Sequence, residues 1–338
     1  MTLLDQFVAA FGVWEEAWPY LHLMVDEQEM RLVVAMGGQA ITASQVAQRL
    51  GLTHPRASEL LLRAYAHHVV DKSQTDDGTT TYSAATFYSR LDHFAKYENW
   101  DDIPAADRRT INRRFLDEFI ARHRPNVELK MQGLQAENAL PNDTVLLLGQ
   151  VEEMIDAATH IVVQPCDCRR LGQNCDRPVE TCLWLDAGAL EALDRGYGRR
   201  LTRTEARELV RRADRAGLMH TADSEWRSRG LHAICNCCAC DCYPFRAARE
   251  LGSKGIWPRS HHVAVYDRER CGLCGACVKR CHFDAFYHDG STVEVGGKAR
   301  PGVAFAPESC WGCGLCANTC PSNAIVMEPL EPTSGDVA

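Results

Sequence analysis

The chain of 338 residues lacks the glycine fingerprints of nucleotide-binding enzymes. GYGRRL at 196–201 has no third glycine and no strand before it, and no GxxxxGK[ST] run occurs. No serine or cysteine nucleophile has a paired His and Asp in local sequence, so the chain offers no flavin, nucleotide or acyl-transfer site of its own. Long apolar runs are missing too, which excludes a membrane-spanning helix. MTLLDQFVAAFGVWEEAW carries Asp5, Glu15 and Glu16 where a targeting leader would be basic, and the expectation is a cytoplasmic protein. There is no cationic surplus: the net charge is −8, which disfavours polyanionic partners.

Cysteine is the residue in excess. Seventeen in a chain of this length do not suit a secreted protein, because an odd count leaves one unpaired and the spacings are those of metal ligands. Eight form two matched runs, Cys271, Cys274, Cys277, Cys281 and Cys310, Cys313, Cys316, Cys320, each C-x2-C-x2-C-x3-C, the second followed by Pro321. Three thiolates at intervals of three let a tight loop wrap three corners of an iron-sulfur cube. The fourth lies too far along the next turn and ligates the neighbouring cube. One 4Fe-4S cluster then takes Cys271, Cys274, Cys277 and Cys320, and the other takes Cys310, Cys313, Cys316 and Cys281. C-x2-C pairs also suit zinc knuckles, but two matched runs of four weigh against them. Gly272, Gly275 and Gly314 fall between ligands, where backbone must approach sulfide. Phe283, Ala285 and Phe286, and Ala324, Ile325 and Val326, are expected as short apolar strands that shield the cubes.

Residues 267–328 resemble the bacterial two-cluster ferredoxins, down to Cys320-Pro321. The resemblance implies crossed ligation and electron transfer. His282 departs from it, standing where the second run has Pro321, and is expected to shift a potential without removing a cluster.

Nine more cysteines lie in the middle of the chain. HIVVQ at 160–164 reads as a buried strand delivering Cys166 and Cys168, whose thiols would share a side if the chain stays extended. Cys175 and Cys182 follow. Thr202 and Glu205 form a capping box, Ala206, Leu209, Val210 and Ala213 an apolar stripe, and Gly217 a stop, which together predict a helix. HAICNCCACDCYPF then supplies Cys235, Cys237, Cys238, Cys240 and Cys242; extended, it would present the first two to one side and the last three to the other. Residues 150–328 resemble a group of prokaryotic 4Fe-4S dicluster proteins in which a Cys-rich middle domain precedes a two-cluster tail. Asp241 stands where that group carries a further Cys, which removes a ligand or replaces it with an oxygen one. Three uses of these thiols stay open: one or two further iron-sulfur clusters, a structural Zn, or a redox-active pair at Cys237-Cys238. Arg169 is expected to offset cluster charge, whereas Arg170, His160, His220 and His232 read as ordinary surface or core residues.

In the first third, residues 27–36, 44–50 and 54–68 have helical spacing, with Gly51 in a turn, and a hairpin follows with Asp77-Gly78 at its tip. This resembles a winged helix. Residues 1–100 hold seven Lys and Arg against twelve Asp and Glu, so DNA is disfavoured and a dimerisation or partner-docking role preferred. From 86 to 140 the chain reads as helical, with Phe115, Phe119 and Ile120 on one face and Arg108, Arg109, Arg113 and Arg114 on a solvated or acid-pairing one.

The expected fold is α+β multidomain: a winged-helix-like helical domain over 1–140, a Cys-rich α/β middle domain over 141–262, a ferredoxin-like two-cluster domain over 263–330, and a tail over 331–338. The expected function is an iron-sulfur electron-transfer protein, an electron carrier or oxidoreductase component that meets a redox partner protein. The alternatives are a redox-sensing winged-helix transcription regulator and a reductase with a non-standard cluster active site in the middle domain.

Overall fold

The computed structural model describes residues 1–330, and the expected tail at 331–338 lies outside them. Helix and strand are mixed along the chain, as an α+β class requires. Two compact units are present: one of Met1–Asp117 with Arg170–Gly172 and Asp194–Tyr197, the other of the remaining residues.

The first unit opens with α1 (Leu3–Phe11), α2 (Leu21–Met24), α3 (Glu27–Met36), α4 (Ala43–Leu50) and α5 (His54–Ala66). Reciprocal capping boxes at Thr2/Asp5, Asp26/Glu29 and Thr42/Gln45 start α1, α3 and α4, and glycines in the left-handed region at 12, 37 and 51 end them. Strands β1 (Val70–Gln74) and β2 (Thr80–Ala84) form an antiparallel hairpin around Asp77 and Gly78. Helix α6 (Phe87–Tyr97) and the first part of α7 (Ala105–Met131) complete the unit. Its core is aromatic: the rings of Phe7, Phe11, Trp14, Phe87, Tyr88 and Phe115 stack or meet edge to face. Buried Arg90 is fixed by the Met24 carbonyl at 2.8 Å and both oxygens of Glu98 at 2.7 Å.

The second unit is built on a seven-stranded sheet of order β6-β4-β5-β8-β7-β3-β9. In chain order its elements are β3 (Thr144–Leu146), α8 (Leu148–Ala157), β4 (Ile161–Pro165), α9 (Asp167–Gly172), β5 (Glu180–Leu185), α10 (Asp186–Asp194), β6 (Arg199–Arg200), α11 (Arg203–Arg215), β7 (Met219–Ala222), α12 (Trp226–Arg229), β8 (Ala233–Cys237), α13 (Tyr243–Leu251) and β9 (Arg259–Ser260). All pairings are antiparallel except β3 with β9. Val151, Met154 and Ile155 of α8 and Ala206, Leu209 and Val210 of α11 bury their stripes against Ile161, Val163, Leu183 and Ile234 of the sheet. Helix α11 starts at Thr202 with the expected capping box to Glu205.

Residues 262–330 belong to the same unit. Strands β10 (His262–Tyr266) and β15 (Ile325–Pro329) pair antiparallel, and between them come α14 (Ala276–Arg280), β11 (Phe286–Tyr287), β12 (Thr292–Val295), β13 (Lys298–Pro301), β14 (Ala304–Phe305) and α15 (Leu315–Thr319). Strand β11 pairs with β14 and β12 with β13. This arm is clamped to the end of α11: Arg280 donates to the Arg215 carbonyl at 2.6 Å and pairs with Asp214 at 3.3 Å, while Asn318 donates to Asp214 at 2.8 Å. A guanidinium at a helix C-terminus is favourably placed against the dipole.

Candidate iron-sulfur and metal centres

The two C-terminal runs fold as near copies. Each begins on a loop, reaches a left-handed glycine (Gly275 at φ 70°, Gly314 at φ 77°) and enters a short helix, α14 or α15, that carries the third cysteine. Leu273 and Gly312 occupy equivalent left-handed positions, and their N–H groups donate to Cys271 Sγ at 3.4 Å and Cys310 Sγ at 3.3 Å. Ala324 N–H likewise reaches Cys320 Sγ at 3.3 Å. Peptide donors aimed at sulfur stabilise anionic thiolate, and this makes the loops suitable for a cluster.

Cys271, Cys274 and Cys277 line one cavity of about 50 Å³ together with Cys320, Pro321 and Ser322. Cys281 lies instead among Cys310, Cys313 and Cys316: these neighbouring thiols, after burial, push Cys313 up to about 12 and raise Cys316 as well. The first set reaches solvent through exposed Cys274, whereas Cys316 of the second is buried. Ala285, Phe286, Ala324 and Ile325 are buried around them, but Val326 is 48 % exposed because alternation along β15 turns it outward. Of the glycines singled out, Gly272 meets no close neighbour and is not left-handed; the close approach falls at Gly312, where a Cβ would lie 1.8 Å from Ser260 Oγ and 2.1 Å from the His262 carbonyl. His282 Nε2 lies 2.6 Å from the Gly217 carbonyl, so it donates there and ties the loop after Cys281 to the turn after α11.

The nine middle cysteines divide into two groups. Six form a closed ring of neighbouring thiols: Cys166 contacts Cys168 and Cys182, Cys182 contacts Cys235, Cys235 contacts Cys237, and Cys242 joins Cys237 to Cys168. Cys166 caps α9 and Cys168 lies in its first turn, so helix entry, not an extended chain, brings these two together. Cys182 is on β5, Cys235 and Cys237 share one face of β8, and Cys242 caps α13. Contacts with their ring neighbours hold Cys182 and Cys237 below the usual thiol range, whereas neighbouring sulfurs and burial raise Cys168 and Cys235.

Cys175, Cys238, Cys240 and Asp241 form the other group, with one donor atom of each inside a 4.8 Å sphere of mutual distance. The extended reading of residues 235–242 assigned Cys242 to this side; the chain turns after Cys238 and enters α13, which carries Cys242 back to the ring. Arg169, 2 % exposed, lies between the groups: it donates to the Pro178 and Asn236 carbonyls at 2.9 and 2.8 Å, and Nη1 is 4.0 Å from Cys238 Sγ. Neighbouring thiolates raise its pKa against the effect of burial. Arg170 turns to Asp101 and the Ala95 carbonyl. His220 is fully buried, its Nδ1 2.7 Å from Asn236 Oδ1.

An aromatic trio joins the C-terminal loops to the ring. Trp311 stacks on Phe283 at 4.8 Å and meets Phe245 of α13 edge-on at 5.2 Å. They share one apolar cluster with Cys235, Cys237, Cys242 and Cys313.

Residues 270–324 match the 4Fe-4S dicluster domain. The chain is 33% identical over 76 residues to Ferredoxin-3 of Nostoc sp., covering 19% of this chain and 76% of that protein. It is 34% identical over 65 residues to the pyruvate synthase subunit PorD of Thermotoga maritima, covering 19% of this chain and 57% of PorD. Similarity to the probable oxidoreductase YjgC of Bacillus subtilis is 34% over 82 residues, 22% of this chain and only 8% of YjgC. No solved structure matches the chain. Among the described residues no helix is long and apolar enough to cross a membrane. Through its C-terminal arm the chain belongs to the dicluster ferredoxins and binds two 4Fe-4S clusters.

Proposed function

We propose that this protein is the electron-transfer component of an oxidoreductase system, with Cys271, Cys274, Cys277 and Cys320 holding the outer cluster and Cys310, Cys313, Cys316 and Cys281 the inner one. The two clusters supply one-electron redox chemistry at low potential. The chain's own residues do the rest. Exposed Cys274 leaves the outer site open to a redox partner protein, while Phe283, Trp311 and Leu315 close the inner one from water. The observation that carries this reading is the apolar cluster in which Cys313 of the inner set packs with Cys237 and Cys242 of the six-thiol ring. Electrons entering at Cys274 have a dry, aromatic-lined way to the middle domain. The ring is then a further iron-sulfur site, because six soft sulfur donors from four elements converge beside Arg169, a buried cation suited to offset cluster charge.

The helices and hairpin within Met1–Asp117 form the winged-helix-like part of a domain over 1–140 that docks a protein partner, not DNA. Arg31 pairs with Glu27 at 2.7 Å and Arg63 with Asp26 at 2.9 Å, so these two cations beside α5 are already neutralised. Domains at 141–262 and 263–330 carry the ring and the two clusters respectively.

Cys274→Ala and Cys313→Ala should each remove one cluster and its paramagnetic resonance signal after dithionite reduction, with iron falling in step. Anaerobic wild-type protein should contain appreciably more than the roughly eight irons two cubanes require. An unchanged spectrum and iron content in both variants rules the ligand assignment out.

A further inference from the structure

Two groups of the described residues bring their donor atoms within 4.8 Å of one another, Cys166 with Asp167 and Cys168, and the four-donor set of Cys175, Cys238, Cys240 and Asp241, which alone of the two offers a full tetrahedral complement. Cys175 Sγ lies 3.8 Å from Cys238 Sγ, and Asp241 Oδ2 lies 3.4 Å from the first and 3.8 Å from the second. Around one tetrahedral ion with metal-sulfur bonds of about 2.3 Å and a metal-oxygen bond of about 2.0 Å, donor atoms stand roughly 3.5–3.8 Å apart. A cubane spreads its thiolates over separate irons and holds them farther from one another. The separations are also too long for a disulfide, whose sulfurs lie about 2.05 Å apart.

We propose that Cys175, Cys238, Cys240 and Asp241 bind a single zinc ion with three sulfur donors and one oxygen donor, separate from the electron-carrying clusters. The surroundings are built for it. Asp241 is fully buried, and its Oδ1 accepts from Asn174 N at 3.2 Å and Asn174 Nδ2 at 2.7 Å, which turns Oδ2 toward the thiols. Three thiolates and a carboxylate around a divalent ion leave two negative charges. Two guanidiniums answer them: Arg177 Nη1 at 3.8 Å from Cys240 Sγ and Arg169 Nη1 at 4.0 Å from Cys238 Sγ. Zinc has no redox chemistry, so the ion's work is mechanical. It pins the turn between β8 and α13 to the loop after α9. That turn is the one that returns Cys242 to the ring, and its Ala239 carbonyl accepts from Arg249 at 3.0 Å.

Full-length protein purified without oxygen should contain one zinc per chain, with an X-ray absorption shell of three sulfurs at about 2.3 Å and one oxygen at about 2.0 Å. Asp241→Cys should keep the zinc and change that shell to four sulfurs. Asp241→Ala should lose zinc to a chelator at least tenfold faster while the resonance signals of the two C-terminal clusters stay unchanged, which shows that the arm remains folded. The assignment is overturned if zinc is absent, if Asp241→Cys leaves the zinc shell as it was, or if that substitution alters an iron spectrum instead. Zinc is silent in paramagnetic resonance, so failure here leaves the electron-transfer reading to be judged on its own iron signals.

Discussion

At the level of single residues, the ferredoxin loops are governed by where a peptide N–H must point. Leu273 at φ 51° and Gly312 at φ 62° are both left-handed, at the two equivalent positions whose N–H groups point onto Cys271 and Cys310. A leucine tolerates this at a cost; at 312 no side chain fits, since a Cβ would collide with Ser260 and the His262 carbonyl. Gly312→Ala should therefore lose at least the ~1–2 kcal/mol of a left-handed alanine, plus whatever displacement of β10 the clash demands. Anaerobic iron and sulfide contents check this, and both should be depleted in the variant relative to wild type. The motif pointed to Gly272, Gly275 and Gly314; Gly312 also stands beside a ligand, but the approach of Ser260 and the His262 carbonyl that excludes a side chain there comes from a distant part of the chain and is invisible in the motif.

Among secondary elements, those set by local signals were legible and those set by distant partners were not. The capping box at Thr202 and Glu205 fixed α11, and the spacing of residues 27–36 marked α3 to the residue. The eight-cysteine arm could be read because its ligands recur at fixed short spacing. The division of the nine middle cysteines could not, since it depends on α9 beginning at Asp167 and on the chain turning between Cys238 and Cys242. Helix α6 and the end of α5 hold another feature that only packing reveals. Burial, with Arg195, Lys96 and Arg90 nearby, lowers His68 to about 3, and burial with Arg90 and His68 lowers His93 to about 2. Glu98, 3.4 Å from His93, does not rescue the charged form because Arg90 engages both its oxygens. Both histidines stay neutral in the folded state, and the unfolded chain takes up their protons first. Their contribution to stability is thus present above about pH 6.5 and lost as pH falls toward 3, roughly 2 kcal/mol for each by pH 5. Hydrogen exchange of α6 should accelerate between pH 7 and 5 after correction for intrinsic rate, and His93→Gln should flatten that dependence. A slope unchanged in the variant would assign the acid sensitivity elsewhere.

On the scale of the whole molecule, the ferredoxin arm and the cysteine-rich sheet share one compact unit, joined by the clamp on Asp214, the His282 tie and the aromatic trio. The arm therefore has a fixed neighbour, which under the proposed function is its electron partner. Trp311 is the part of the junction that can be altered without touching a proposed ligand. It stacks on Phe283 and meets Phe245, so Trp311→Leu keeps the site apolar while breaking the continuous ring contact between the inner cysteine set and the six-thiol ring. If the electron crosses there, flash reduction of the C-terminal clusters should be followed by slower equilibration with the middle domain, several-fold below wild type, at unchanged iron content and unchanged resonance signals. Equal rates would place the crossing elsewhere, with the bridge from the Ala239 carbonyl through Arg249 to the His282 carbonyl, at 3.0 and 3.5 Å, as the next segment to sever.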